Sequence, residues 1–207
     1  MKEGRMRLKA IIVVCLLVLV AGFKFIDPGA GKEKKSTGGK SAQIKRGEYL
    51  VMVGGCNHCH SPKIMTPMGP IPDTTRLLSG HRSGSAALEI PKDVLTPDKW
   101  GVLTTGELTG WGGPWGISYA RNLTPDMNTG LGSWTEEMFL KALRTGKDMG
   151  EGRNILPPMP WQDIGQMKDQ DLKDIFAYLK SLPPIDNAVP DPISPTGEKI
   201  PTGKKDK

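Results

Sequence analysis

A chain of 207 residues leaves room for one domain of ordinary size with tails. Its formal net charge of +6 resides entirely in the first 42 residues, which carry 9 basic and 3 acidic groups; residues 43–184 balance at 15 of each. A neutral body of this kind argues against an electrostatic nucleic-acid surface.

Lys2, Arg5, Arg7 and Lys9 precede an apolar run from Ala10 to Phe23, the basic-then-apolar order of an export signal. At about 14 uninterrupted residues the run has signal-peptide length; including Lys24 by snorkelling extends it to about 17, the short limit of a spanning helix. Leu19-Val20-Ala21 lacks the small residue that a cleavage site needs at its first position. Residues 1–26 are therefore expected to be an uncleaved signal anchor, with a cleaved signal peptide as the alternative. Cys15 follows Val14 inside an unbroken apolar run, which speaks against a lipidated cysteine. Either way the rest of the chain is exported. Residues 27–43, rich in Gly, Ser and Lys without apolar periodicity, read as a flexible tether.

Helical patterning begins near Ile44 and runs through Tyr49, Leu50, Val51 and Met52 toward Cys56, loosened by Gly54-Gly55. The next stretch, Cys56-Asn57-His58-Cys59-His60, is the c-type haem attachment pattern. On one helical turn its two thiols face the same way, within reach of adjacent vinyl groups to which they add as thioethers. His60 then supplies the proximal imidazole. A redox disulfide of the thioredoxin type wants a βαβ pattern that is missing here, and a closed zinc site wants a second ligand pair. Only Cys15, His58 and His81 remain for that.

Residues 61–133 hold eight prolines among many glycines, so long helices are excluded, and Trp100–Thr104 is a candidate short strand. So long a loop suits the wrapping of a cofactor. Order returns at Thr135, a good N-cap with Glu136 and Glu137 in the first turn; Met138, Phe139, Ala142 and Leu143 form the apolar stripe and Gly146 the stop. A last helix starts near Lys168 or Asp169, carries Leu172, Ile175, Phe176 and Leu179, and ends at Pro183-Pro184. The Pro-rich segment 185–207 reads as an extended strap or a disordered tail. Asp126-Met127-Asn128-Thr129-Gly130 fails the register of a calcium loop and reads as a turn.

A single axial histidine leaves a sixth iron position to fill or to leave open. His58, inside the motif, cannot reach the far face. His81 stands in a loop and is one candidate. Met159 is the preferred one, because Pro157, Pro158 and Pro160 stiffen the backbone around a single thioether. Met52 and Met138 lie on helix faces and read as packing.

Taken together, Cys-Asn-His-Cys-His, Trp134-Thr135-Glu136-Glu137-Met138-Phe139, Pro157-Pro158-Met159-Pro160-Trp161 and Asp171-Leu172-Lys173-Asp174-Ile175-Phe176 resemble, in that order, a class I cytochrome c. The likeness covers about residues 44–189 and is closest to the membrane-associated kind related to cytochrome c subunits of bacterial dehydrogenases. The segment Tyr119–Asp126 followed by Thr129-Gly130-Leu131-Gly132 also resembles that group. Those subunits carry several haem domains; this chain has one attachment motif. The resemblance implies an all-α fold over 44–184 with a long Pro/Gly-rich loop after the haem motif. Its first and last helices would cross near Gly47 and Tyr178, and His60 and Met159 would be the axial ligands of one covalent haem c. It further implies that the other ring nitrogen of His60 donates to a backbone carbonyl in a proline-bearing loop, for which Pro70 or Pro72 is a candidate. Trp115, Arg121 and Trp161 are candidates to meet the haem propionates.

The resulting expectation is a membrane-tethered, single-haem electron carrier facing the periplasm, serving redox partners in or on the membrane and doing no bond-making chemistry. The haem subunit of a larger dehydrogenase or oxidase complex is the alternative. A gas sensor or peroxidase-like enzyme would need an open iron, with only His81 and Arg121 available to assist it.

Overall fold

A computed structural model describes residues 39–90 and 99–201. Among them five α-helices, α1 (Lys40–Val53), α2 (Cys56–His60), α3 (Glu136–Thr145), α4 (Trp161–Ile164) and α5 (Asp169–Ser181), share the chain with five short strands. The strands are β1 (Lys63–Thr66), β2 (Gly69–Pro72), β3 (Leu103–Thr104), β4 (Gly110–Gly113) and β5 (Gly116–Tyr119). The expectation of an all-α fold is thereby overturned. The segment read as loop folds into two antiparallel sheets, one of order β1-β2 and one of order β3-β4-β5. Its glycines and prolines forbid long helices but permit tight hairpins. β4 and β5 pair from Gly110↔Tyr119 to Gly113↔Gly116 across Pro114-Trp115, with Gly116 at φ +95°, a conformation that disfavours any residue with a Cβ.

The core is helical. α1 starts at Lys40, ahead of the apolar pattern, and crosses α5 at Gly47 as the family resemblance implies: a Cβ added there would meet the Asp174 carbonyl and lie 2.8 Å from the Tyr178 Cβ. This bare backbone lets Leu50 and Val51 reach Leu172, Ile175, Phe176 and Leu179, all buried. α3 adds Phe139, Ala142 and Leu143, with the Phe139 and Phe176 rings 5.1 Å apart. Each fully buried aliphatic side chain contributes about 1.5–3 kcal/mol. Met138 packs against this core, whereas Met52, expected to do the same, is exposed on the outer side of α1. The helix punctuation is as read: Thr135 Oγ1 accepts from the Met138 N–H at 3.2 Å, and Gly146 ends α3 at φ +67°.

The segment after α5 is an extended strap. Ile193 pairs with Ile117 of β5 through both backbone bonds, 2.7 and 2.9 Å. Asn187, fully buried, donates to the Ser79 and His81 carbonyls and accepts from Arg76 Nη2 and the Ser83 N–H. Asp126 closes the expected turn by accepting from the backbone N–H of Asn128 and of Thr129. No helix among the described residues is long and apolar enough to cross a membrane; the anchor expected over residues 1–26 lies outside them.

Candidate haem-attachment site

α2 is a single turn set by its flanks. Gly55, at φ +68°, breaks the chain direction between α1 and α2, so the two thiols begin a new turn. Its carbonyl bonds are then closed from outside: the Gly80 N–H donates to the His60 carbonyl at 2.7 Å, and Lys63 Nζ donates to the carbonyls of Asn57 (3.1 Å), His58 (2.9 Å) and Ser61. The Ser61 hydroxyl donates to Asn57 Oδ1 at 2.7 Å and accepts from the Leu78 N–H at 2.8 Å.

Cys56 and Cys59 are half-buried and unpaired by a disulfide. Burial pushes the Cys56 thiol up to about 11 and raises Cys59 as well. A redox Cys-x-x-Cys pair needs a depressed thiol. This pair has the opposite environment. Among the described residues no three His, Cys, Asp or Glu side chains converge as a metal cluster, so a closed zinc site finds no ligands there.

His60 is buried, and its Nδ1 lies 2.8 Å from the Arg121 carbonyl. A carbonyl only accepts, so the proton sits on Nδ1 and the Nε2 lone pair is left for a ligand. Burial holds the ring below the ordinary histidine range, which keeps it neutral. The carbonyl that orients it belongs to Arg121, not to the Pro70 or Pro72 loop. Gly80 brings the two together: a Cβ on it would lie 2.5–2.7 Å from the Ala120 oxygen, the Arg121 carbonyl carbon and the Asn122 nitrogen.

The other histidines are placed elsewhere. His58 is exposed, its Nδ1 turned to the Gly55 carbonyl at 3.3 Å. His81 is buried with Nδ1 2.9 Å from Thr109 Oγ1 and its ring 4.8 Å from that of Tyr119. Met159 is half-buried and packs against the helical core, as does Cys56. It stands in a cavity of about 580 Å³ lined by Gly146, Ile155, Pro157, Pro158, Pro160 and Trp161. That loop is pinned from three sides, by Ser118 Oγ donating to the Pro157 carbonyl (2.6 Å), the Ile155 N–H to Gly146 (2.7 Å) and the Trp161 N–H to Met159 (2.9 Å). Met149 also packs against the core, while Met65, Met68 and Met127 are exposed.

Of the three residues read as propionate partners, Trp115 donates its indole N–H to Ser118 Oγ at 3.2 Å, and the Trp161 ring lies beneath Gly146. Arg121 pairs with buried Asp148 and spreads its guanidinium 5.0 Å over Trp134. Arg153, which the sequence did not single out, interacts electrostatically with Asp148 and Arg121. The Nε donors of both arginines are buried without a partner. Arg153 also faces Asp191, so the two guanidiniums meet two carboxylates, but both buried Nε donors stay unused, which suits a group carrying carboxylates of its own. Two protonated thiols on one turn, a neutral imidazole with its lone pair free and this donor surplus are the residue set that a covalently held haem requires.

Residues 44–183 match the cytochrome c family. The chain belongs to that family. Cytochromes c hold haem covalently and transfer electrons, and this cytochrome is similar to proteins that do so within larger assemblies. It is 29% identical over 160 residues, 74% of the chain, to the gluconate 2-dehydrogenase cytochrome c subunit of Pantoea cypripedii, covering 27% of that protein. It is 28% identical over 167 residues, 78% of the chain, to the cytochrome c subunit of the quinone alcohol dehydrogenase of Gluconobacter oxydans, again covering 27%. A diheme cytochrome c-type protein of Cereibacter sphaeroides matches over 175 residues at 29% identity, 83% of the chain and 48% of the relative. The cytochrome thus spans about a quarter of the first two relatives and about half of the third.

Proposed function

We propose that this cytochrome carries one haem c, bound through Cys56 and Cys59, with His60 as proximal and Met159 as distal ligand, and that it works as a single-haem electron carrier. The observation that carries the reading is the His60–Arg121 hydrogen bond, which fixes the tautomer of a buried imidazole on the turn that bears both thiols. Haem iron so ligated supplies one-electron exchange between ferrous and ferric states, and a neutral thioether favours the ferrous one. The chain's own residues do the rest. Arg121 orients His60 through its carbonyl, the pinned proline loop presents Met159 with little entropy left to lose, and the helical core keeps water from the thiol side.

The names of the relatives support a setting in which redox proteins exchange electrons with this domain, including service as the haem-bearing subunit of a dehydrogenase complex. The basic-then-apolar N-terminus supports placement of the domain on the periplasmic side of the cytoplasmic membrane, held by residues 1–26 or released by their cleavage. The test is covalency. Protein expressed in a host that attaches haem c gives a haem-stained band after denaturation, and the Cys56→Ala/Cys59→Ala double variant gives none. A stained band from the double variant would overturn the reading.

A further inference from the structure

Lysine is among the residues least often found inside a protein unless it is paired. Lys63 is 5% exposed, yet among the described residues no carboxylate lies at salt-bridge distance; its Nζ instead donates to the carbonyls of Asn57 (3.1 Å), His58 (2.9 Å) and Ser61. Three acceptors around one nitrogen match the three N–H bonds of an ammonium. A neutral amine has two, and would aim its lone pair at the third carbonyl. The geometry therefore requires the charged form. Burial pulls Lys63 below the ordinary lysine range, and Glu107 pushes it back up.

The three carbonyls belong to the attachment turn and the residue just beyond it. α2 is too short to satisfy its own C-terminal acceptors, and Lys63 reaches back from the start of β1 to close them. One side chain thus fixes the conformation of the turn and sets a buried positive charge against it.

We propose that Lys63 tunes the reduction potential of the site, acting as a fixed cation that favours the reduced state while it positions Cys59 and His60. With haem bound, reduction would add one electron, taken from a one-electron donor, to the iron held by the turn that Lys63 closes. A positive charge beside that turn stabilises the product, and burial removes most of the screening that would weaken the effect at a surface. Glu107, which interacts electrostatically with Lys63 and pairs with Arg82 at 2.9 Å, is the opposing charge. The inference rests on haem attachment at Cys56 and Cys59.

The experiment is a redox titration of the haem-loaded parent and three variants with soluble one-electron mediators. Lys63→Gln keeps an amide donor for the carbonyls and loses the charge; its equilibrium constant for reduction is expected to fall about tenfold, about 59 mV for a one-electron couple. Lys63→Arg keeps the charge and is expected within about threefold of the parent. Glu107→Gln leaves all three carbonyl bonds intact and is expected to shift the constant about twofold or more upward; it decides the matter should Lys63→Gln fail to take up haem. A parent-like Lys63→Gln overturns the proposal. So does a Lys63→Arg variant that falls as far as Lys63→Gln, or a Glu107→Gln variant that is unshifted or shifted downward. A parent chain without covalent haem overturns the attachment reading itself, which the stained gel reports separately.

Discussion

The His60 ring and the Arg121 backbone, 61 positions apart, are joined by a 2.8 Å hydrogen bond from Nδ1 to a carbonyl oxygen. This contact ties the helical turn with the thiols to the irregular segment that precedes α3. It explains why so much of the domain outside the helices is pinned by buried polar groups: the loop must hold one carbonyl still against one imidazole.

Gly80 is the closest constraint on that contact. At φ +80° and with the 120–122 backbone pressed against it, Gly80→Ala adds a left-handed penalty of about 1–2 kcal/mol to a clash that displaces the Arg121 carbonyl. The expected outcome is a loss of about 2 kcal/mol or more in denaturant unfolding of the haem-loaded protein, with altered His60 ring resonances. Parent stability would refute the close-packing argument.

Asn187 joins the strap to the loop that carries Gly80. Asn187→Ala strands the Ser79 and His81 carbonyls and the Ser83 N–H, at about 1–3 kcal/mol for each buried group left without a partner, less than additively. Urea unfolding is expected to lose at least about 2 kcal/mol. Unchanged stability would mean that water replaces the amide at no cost.

Asp73 gives the domain an acid-sensitive latch. The Thr75 hydroxyl (2.6 Å) and the Arg82 guanidinium (2.9 Å) hold its carboxyl down to about 2 from an ordinary 3.8. A carboxyl depressed by folding stabilises the native state above its unfolded value, and that contribution is lost as pH falls through the folded value. Stability is therefore expected to fall between about pH 4 and pH 2, and Asp73→Asn is expected to flatten that part of the profile. An identical slope in the variant would remove Asp73 from the acid response.

What was legible in the sequence is what local chemistry determines. The spacing of Cys56, Cys59 and His60, the Thr135 cap, the Gly146 stop and the apolar stripe of α5 all act within a few residues. Beyond the candidate strand Trp100–Thr104, within which β3 falls, the sheets left no readable pattern, because β3 is two residues long and the other strands four, too short for alternation to register against so many glycines and prolines. The partner of His60 is the Arg121 carbonyl and neither of the candidates Pro70 and Pro72; any backbone carbonyl can accept, and side-chain identity carries no trace of which one does. Arg153 matters through tertiary approach alone, whereas Lys63 acts on residues two to six positions away. The Lys63 arrangement left one readable hint, a lysine three positions after His60 at the start of β1. The strap over β5 depends on pairing between residues as distant as Ile117 and Ile193.

Met159 as the sixth ligand is the claim on which the electron-carrier account turns, and an optical spectrum with and without carbon monoxide tests it most directly. The haem-loaded parent is expected to be low-spin, to carry a thioether–iron charge-transfer band when oxidised and to be indifferent to the gas. Met159→Ala is expected to lose the band and bind carbon monoxide, while Met149→Ala keeps the parent spectrum. A parent that binds carbon monoxide, or a Met159→Ala variant that retains the band, would contradict the account.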